Sequence, residues 1–308
     1  MEIYLPIAEQ SMNVFVLLAL GGVAGLLAGM FGVGGGFLAT PLLIFVGIPP
    51  AVAVASQANQ VVANSVSSLQ VQWRRGNVDL RMGLVLLLGG ILGSSAGVSL
   101  FTYLQRIGQI DFVIAVLYVV MLSAIGALML YESLRTWLKV RRNPSAPRGK
   151  LHTHYLVHRL PLKMRFYKSK LYISALLPLG LGVAIGILSA ILGVGGGFVL
   201  VPAMIYLLGM PTTVVIGTSN FQILFVAANV TFLQAATNGT VDIVLALLLI
   251  LGGVIGAPIG ARLAARLPGV VLRGLMAVLI LAVAGQLLVE LVRTPASPYS
   301  IGLREALP

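Results

Sequence analysis

Apolar positions in this chain gather into ten runs, near residues 12–30, 37–48, 51–72, 82–104, 111–133, 172–191, 198–209, 212–236, 243–264 and 271–292. Each run is continuous rather than alternating, which predicts helices and not the strands of a membrane barrel. Most are long enough for a helix to cross a ~30 Å hydrocarbon core. The second and seventh are not. Phe37 to Gly47 gives about 16 Å of helix at ~1.5 Å per residue, and its copy, Phe198 to Gly209, is as short. Glycines precede both, and Pro49-Pro50 or Pro211 follows, so each is a short broken or re-entrant helix.

A Gly-Val-Gly-Gly-Gly-Phe run stands before each short segment, at Gly32–Phe37 and Gly193–Phe198. Aligning them sets an offset of 161 residues, at which Pro41 meets Pro202, Pro50 meets Pro211 and Asn59 meets Asn220. After a two-residue shift, Gly76, Val78 and Asp79 meet Gly239, Val241 and Asp242, and Gly89-Gly90, Gly93 and Gly97 meet Gly252-Gly253, Gly256 and Gly260. The chain is an internal duplication of two halves with five apolar segments each. An odd number of crossings per half inserts the second half upside down. The expected fold is therefore an all-α polytopic membrane protein of two inverted-topology repeats.

Charge supports that orientation. Eleven of the twenty basic residues lie between Arg135 and Lys170, with no acid among them. A polybasic segment between apolar runs marks the cytoplasmic side, and it suits anionic lipid headgroups. Arg74, Arg75 and Arg81 flank one connection whose counterpart, Thr237–Thr240, has no base, whereas Arg262, Arg266 and Arg273 occupy the counterpart of the weakly basic loop at Arg106. The division expected is a first transmembrane repeat over 1–134, a basic cytoplasmic loop over 135–170, and a second repeat with a short tail over 171–308. Both termini then face the periplasm across a bacterial inner membrane. The start, Met1-Glu2-Ile3-Tyr4, has no basic flank, so no cleaved signal peptide is expected.

Composition narrows the chemistry. The chain is 58% hydrophobic and 9% charged, against about 25% charged in soluble domains. Its net charge of +12 belongs to the loop, so nucleic acid is not an expected partner. It has no cysteine, and its histidines, His152, His154 and His158, all sit in the basic loop. Asp79, Asp111, Glu132, Asp242 and Glu290 lie near segment ends, with Asp79 and Asp242 placed as helix N-caps. No catalytic residue, metal site or cofactor is expected, and the chain is not expected to be an enzyme. The sequence leaves the oligomeric state open.

What remains is polar chemistry at depth. A glycine break in a bilayer exposes backbone groups that hydrocarbon does not tolerate, unless they line a polar site. Helix starts there present free N–H groups and the positive end of the helix dipole to an anion. Paired breaks in two halves point to a transporter's substrate site near the midplane. The third segment of each half adds uncharged hydrogen-bonding groups. The candidate substrate contacts are Gly34, Gly35, Gly36, Gln57, Asn59 and Gln60 in the first half, and Gly195, Gly196, Gly197, Thr218, Ser219, Asn220 and Gln222 in the second. For Ser65, Ser67, Asn229 and the glycines of the fourth and ninth segments, helix packing is the expected role.

Two stretches, Gly29-Met30-Phe31-Gly32-Val33-Gly34-Gly35-Gly36-Phe37-Leu38-Ala39-Thr40-Pro41 and Leu192-Gly193-Val194-Gly195-Gly196-Gly197-Phe198-Val199-Leu200-Val201-Pro202, resemble the sulfite exporter TauE/SafE family of bacterial membrane permeases. The later Gly217-Thr218-Ser219-Asn220 fits it too, and the likeness runs from the first apolar segment to about Val292. The resemblance implies a permease for a small sulfur oxyanion or organosulfonate, such as sulfite or sulfoacetate, with the glycine turns and the following amides in the substrate path. The expected mechanism is alternating access. An anion channel of the same architecture and a membrane scaffold docking through its basic loop are the alternatives.

Overall fold

The computed structural model describes residues 2–31, 36–142, 162–169, 171–264, 266 and 269–292. Its elements are β1 (Glu2–Leu5), β2 (Gln10–Asn13), α1 (Val14–Phe31), α2 (Gly36–Phe45), α3 (Pro50–Arg74), α4 (Leu80–Arg106), α5 (Ile110–Arg142), β3 (Lys163–Phe166), β4 (Leu171–Ser174), α6 (Leu176–Leu192), α7 (Gly197–Tyr206), α8 (Thr212–Leu233), α9 (Ile243–Ala264) and α10 (Gly269–Val292). A π turn, Gln234–Asn238, continues α8. The all-α membrane class holds: five of the described helices are long and apolar enough to cross a bilayer. Large apolar side chains such as Leu88, Leu92, Phe112, Leu128, Leu251 and Ile255 point outward on three of these helices, where lipid takes the place of a partner.

Two short antiparallel hairpins were not expected from the apolar pattern. β1 pairs with β2 from Glu2↔Asn13 to Leu5↔Gln10, and β3 pairs with β4 from Lys163↔Ser174 to Phe166↔Leu171. They recur at the 161-residue offset of the glycine runs. The second takes over the first residues of the apolar run at 172–191, so α6 starts only at Leu176. The histidines and residues 143–161 of the basic loop lie outside the described residues.

Each hairpin is anchored to the other half of the chain. Asp242, at the start of α9, accepts the N–H of Ile7 at Oδ2 (3.0 Å) and that of Leu245 at Oδ1 (3.1 Å). Asp79, at the start of α4, accepts the N–H and Oγ–H of Ser169 at Oδ2 (2.9 and 2.7 Å) and the N–H of Met82 at Oδ1 (3.3 Å). Both aspartates are the expected N-caps, and each also holds the turn of a hairpin. About 27 Å of helix separates Ser56 from Arg74 at ~1.5 Å per residue. Ser56 accepts the Asp242 N–H (3.0 Å), and beyond Arg74 the Gly76 carbonyl accepts from Lys168 Nζ (3.1 Å). The two hairpins therefore cap opposite ends of the bundle.

The short helices return to the end from which they came. Gln10 Nε2 donates to the Gly47 carbonyl just after α2 (3.0 Å), and Leu43 and Ile48 pack with Leu5, Ala8 and Leu17. In the second half, Leu208 and Met210 pack with Phe166 and Ile173 of the other hairpin. So α1–α2 and α6–α7 are re-entrant pairs, and α3 and α8 start at the ends these pairs leave.

Glycine seams join the halves. Gly21, Gly25 and Gly29 of α1 meet Leu249, Gly253 and Ala257 of α9, so the two helices run parallel. A Cβ on Gly25 would sit 2.4 Å from the Gly253 carbonyl oxygen. Gly89, Gly93 and Gly97 of α4 meet Leu179, Val183 and Ile187 of α6 in the same manner. The packing role expected for these glycines is what the backbone approach demands. Asn229 likewise serves packing, donating to Ser94 and Ser95 (2.9 and 3.3 Å).

Candidate functional site

Both glycine breaks meet at one side chain of α3. A Cβ on Gly36 would lie 2.6 Å from Val61 Cγ2, and one on Gly195 would lie 2.5 Å from Val61 Cγ1. Gly36 also lies against the backbone of Val194. One residue after each triple glycine, Phe37 and Phe198 stack with centroids 5.5 Å apart and planes at 24°. The second break turns through three left-handed glycines, Gly193 (φ 68°), Gly195 (φ 68°) and Gly196 (φ 72°). An L side chain is strained there, and a Cβ on Gly196 would also lie 2.2 Å from Ile185 Cγ2. Gly34 and Gly35 lie outside the described residues.

α7 starts at Gly197 behind this turn with no side-chain cap, so its first N–H groups keep the character of an anion-facing helix start. The carbonyl before the turn is occupied: Tyr118 of α5, fully buried, donates its hydroxyl to Leu192 O (2.5 Å). Val61, the stacked Phe pair and Tyr118 were not among the sequence candidates. For Tyr118 the signal was available, since it is a hydroxyl deep in an apolar run.

The amides divide into two kinds. Asn59 Nδ2 donates to Ser56 O (3.4 Å) and Asn220 Nδ2 to Ile216 O (2.9 Å), each within its own helix. Ser219 Oγ likewise donates to Ile216 O (3.2 Å), and Thr218 Oγ1 accepts the Asp79 N–H (3.0 Å). The glutamines reach further. Gln60 Nε2 donates to Gly21 O of α1 (3.1 Å) and Leu249 O of α9 (2.9 Å), and Gln60 Oε1 accepts from Gln57 Nε2 (2.8 Å). Gln57 Oε1 and both polar atoms of Gln222 are buried without a hydrogen-bond partner. A buried polar group left so is costly, and such groups mark places where a ligand or water completes the set.

Structural equivalence shifts the pairing of these residues. Ser56 receives Asp242 N–H as Thr218 receives Asp79 N–H. Gln60 lies against Gly253 as Gln222 lies against Gly90. Through this stretch the halves correspond at 162 residues, so Asn59 and Asn220 are one position out of register. Gln222 faces α4 on one flank, whereas Gln60 lies toward α1 and α9, so the structure does not gather all the candidates at one point.

A bundle of helices with apolar exteriors, a glycine-broken re-entrant pair in each half and buried amides on α3 and α8 fits a membrane transporter, and the family comparison decides it. The sequence model of the sulfite exporter TauE/SafE family matches residues 17–287. The chain belongs to this family. It is a multi-pass membrane transporter of that type. A "Probable membrane transporter protein" from Xylella fastidiosa (strain 9a5c) is 30% identical over 244 residues, covering 79% of this chain and 81% of its own. Two relatives from Bacillus subtilis (strain 168) are similar: "Probable membrane transporter protein YjnA", 30% identical over 249 residues and covering 79% and 87%, and "Probable membrane transporter protein YunE", 26% identical over 253 residues and covering 78% and 85%. No solved structure matches the chain.

Proposed function

We propose that the protein moves a small oxyanion, of the sulfur oxyanion or organosulfonate class that includes sulfite and sulfoacetate, across a bacterial inner membrane by alternating access. The observation that carries this reading is the meeting of the two glycine breaks at Val61, deep in the bundle, beside a buried amide oxygen with no partner. Helix starts and uncharged amides bind an anion without the ~2.5–3.5 kcal/mol penalty of a charged side chain at the helix centre. In this reading the chain is two inverted repeats, over 1–134 and 171–308, joined by a cytoplasmic basic segment that binds anionic lipid. Rocking of one repeat against the other opens the central site to each side in turn.

The test is flux of sulfite, thiosulfate, sulfoacetate and a carboxylate into proteoliposomes containing the purified chain. Saturable flux confined to the sulfur oxyanions or sulfonates is expected. Non-saturating flux would make the protein a channel. No flux, with function in cells lost on deleting residues 143–161, would favour a scaffold.

A further inference from the structure

Hydrogen-bond direction at the site is fixed by two backbone carbonyls that cannot turn round. Gln60 Nε2 faces Gly21 O and Leu249 O, and both its hydrogens are engaged. Gln60 must therefore offer Oε1, an acceptor, to its neighbour, and Gln57 must answer with its NH2 group. Reversing either amide would set oxygen against oxygen. An amide's orientation is assigned from its network, and here the network permits one answer. Gln57 is left presenting Oε1, which is buried and without a partner. Gly253 holds the clamp in place, since a Cβ there would lie 2.5 Å from Gln60 Nε2.

Gln57 stands on the face of α3 that meets the second glycine break. Val54 and Val61, one turn either side of Gln57 on the same face of α3, lie against Gly193 and Gly195 respectively. The site thus joins helix-start N–H donors to a fixed acceptor. A fully ionised oxyanion has only acceptors and would meet Gln57 Oε1 with repulsion.

We infer that the transported species is a hydrogen oxyanion, such as hydrogensulfite, whose O–H donates to Gln57 Oε1 while its charged oxygens face the α7 start. This rests on the anion-transport reading and narrows it. The proton travels on the substrate. The elements that pack on this part of α3 carry few titratable groups. On α5 they are Asp111, Tyr118, Tyr131 and Glu132 with the bases from Arg135 to Arg142. Asp242, whose N–H donates to Ser56 beside Gln57, stands at the start of α9 with its carboxylate accepting the N–H groups of Ile7 and Leu245; Arg262 is on α9 and Tyr206 on α7. Among the described residues Tyr118 reaches the second break, and its hydroxyl donates to Leu192 O.

The experiment is equilibrium binding of sulfite to the purified full chain through the pH range in which hydrogensulfite loses its proton. Methanesulfonate, which holds no proton there, is the comparison ligand. Affinity in total sulfite should fall about tenfold per pH unit above the acid's own pKa, and methanesulfonate should bind at least about tenfold more weakly than sulfite does at the low-pH limit. Gln57→Met, of similar volume, should lower the low-pH affinity and flatten the slope. Sulfite affinity that is constant or rises with pH overturns the inference, as does a slope retained in Gln57→Met. Affinity that is flat with pH but grows with sodium assigns the acceptor to a cation and overturns it too. Binding of none of these anions removes the transport reading itself, a different outcome from pH-independent binding.

Discussion

Gly253 leaves room for the Gln60 amide and Gly90 for Val226 and the Gln222 amide; a methyl group at Gly253 would meet Gln60 Nε2 at 2.5 Å, and one at Gly90 would meet Val226 Cγ2 at 2.5 Å and Gln222 Nε2 at 2.7 Å. Forcing a methyl into such a contact costs about 1–3 kcal/mol. Gly253→Ala and Gly90→Ala should each lower the midpoint of thermal unfolding in detergent. Gly180→Ala is the control. It sits in α6 with nothing within 4 Å of its added Cβ, and a mid-helix glycine replaced by alanine gains roughly 0.5–1 kcal/mol. An equal loss at all three positions would mean that these close contacts are not the cause. The glutamines were legible as polar residues at depth. Which amide carries a free atom was not, because that depends on the carbonyls of α1 and α9, far away in sequence.

The aspartates at the starts of α4 and α9 act on two elements at once. Asp79→Ala removes an N-cap, about 1 kcal/mol, and also strips Ser169 N–H of its buried acceptor, about 1–3 kcal/mol more. Asp79→Asn keeps an acceptor oxygen and should lose less, and Ser169→Ala should fall below the full Asp79→Ala effect. Thermal unfolding of the three variants gives the order, and equal losses for Asn and Ala at position 79 would deny the hairpin anchor. The caps were readable because Asp stands directly before an apolar run, but the hairpins were not. Strands of four residues show too little alternation to register, and their pairing is held by a carboxylate from the other half. The third-segment register was misread for a related reason. Glycines and prolines fix the offset at 161 up to Pro50, and the shift that the sequence places after Asn220 has already begun by Ser56, where only cross-helix contacts reveal it.

At the scale of the whole molecule, hydropathy and glycine spacing were enough to yield the helices and their glycine breaks, because lipid imposes those patterns on each segment separately; that the short helices turn back rather than cross shows only in their contacts with the hairpins. The orientation in the membrane rests on charge. The chain has no native cysteine, so single introduced cysteines report without background. One near Glu9 and one near Pro298 should react with an impermeant thiol reagent added outside intact cells, and one near Pro147 should not. Labelling at Pro147 from outside would reverse the assignment of faces.

The central claim is that the two breaks form one anion site, and sulfite binding to purified, monodisperse protein tests it most directly. Gly36 and Gly195 lie on either side of Val61 with no room for a side chain. Gly36→Leu and Gly195→Leu, in opposite halves of the chain, should therefore each abolish binding that the unaltered protein shows. Near-native sulfite affinity in both variants would contradict the account and leave the glycines as packing residues alone.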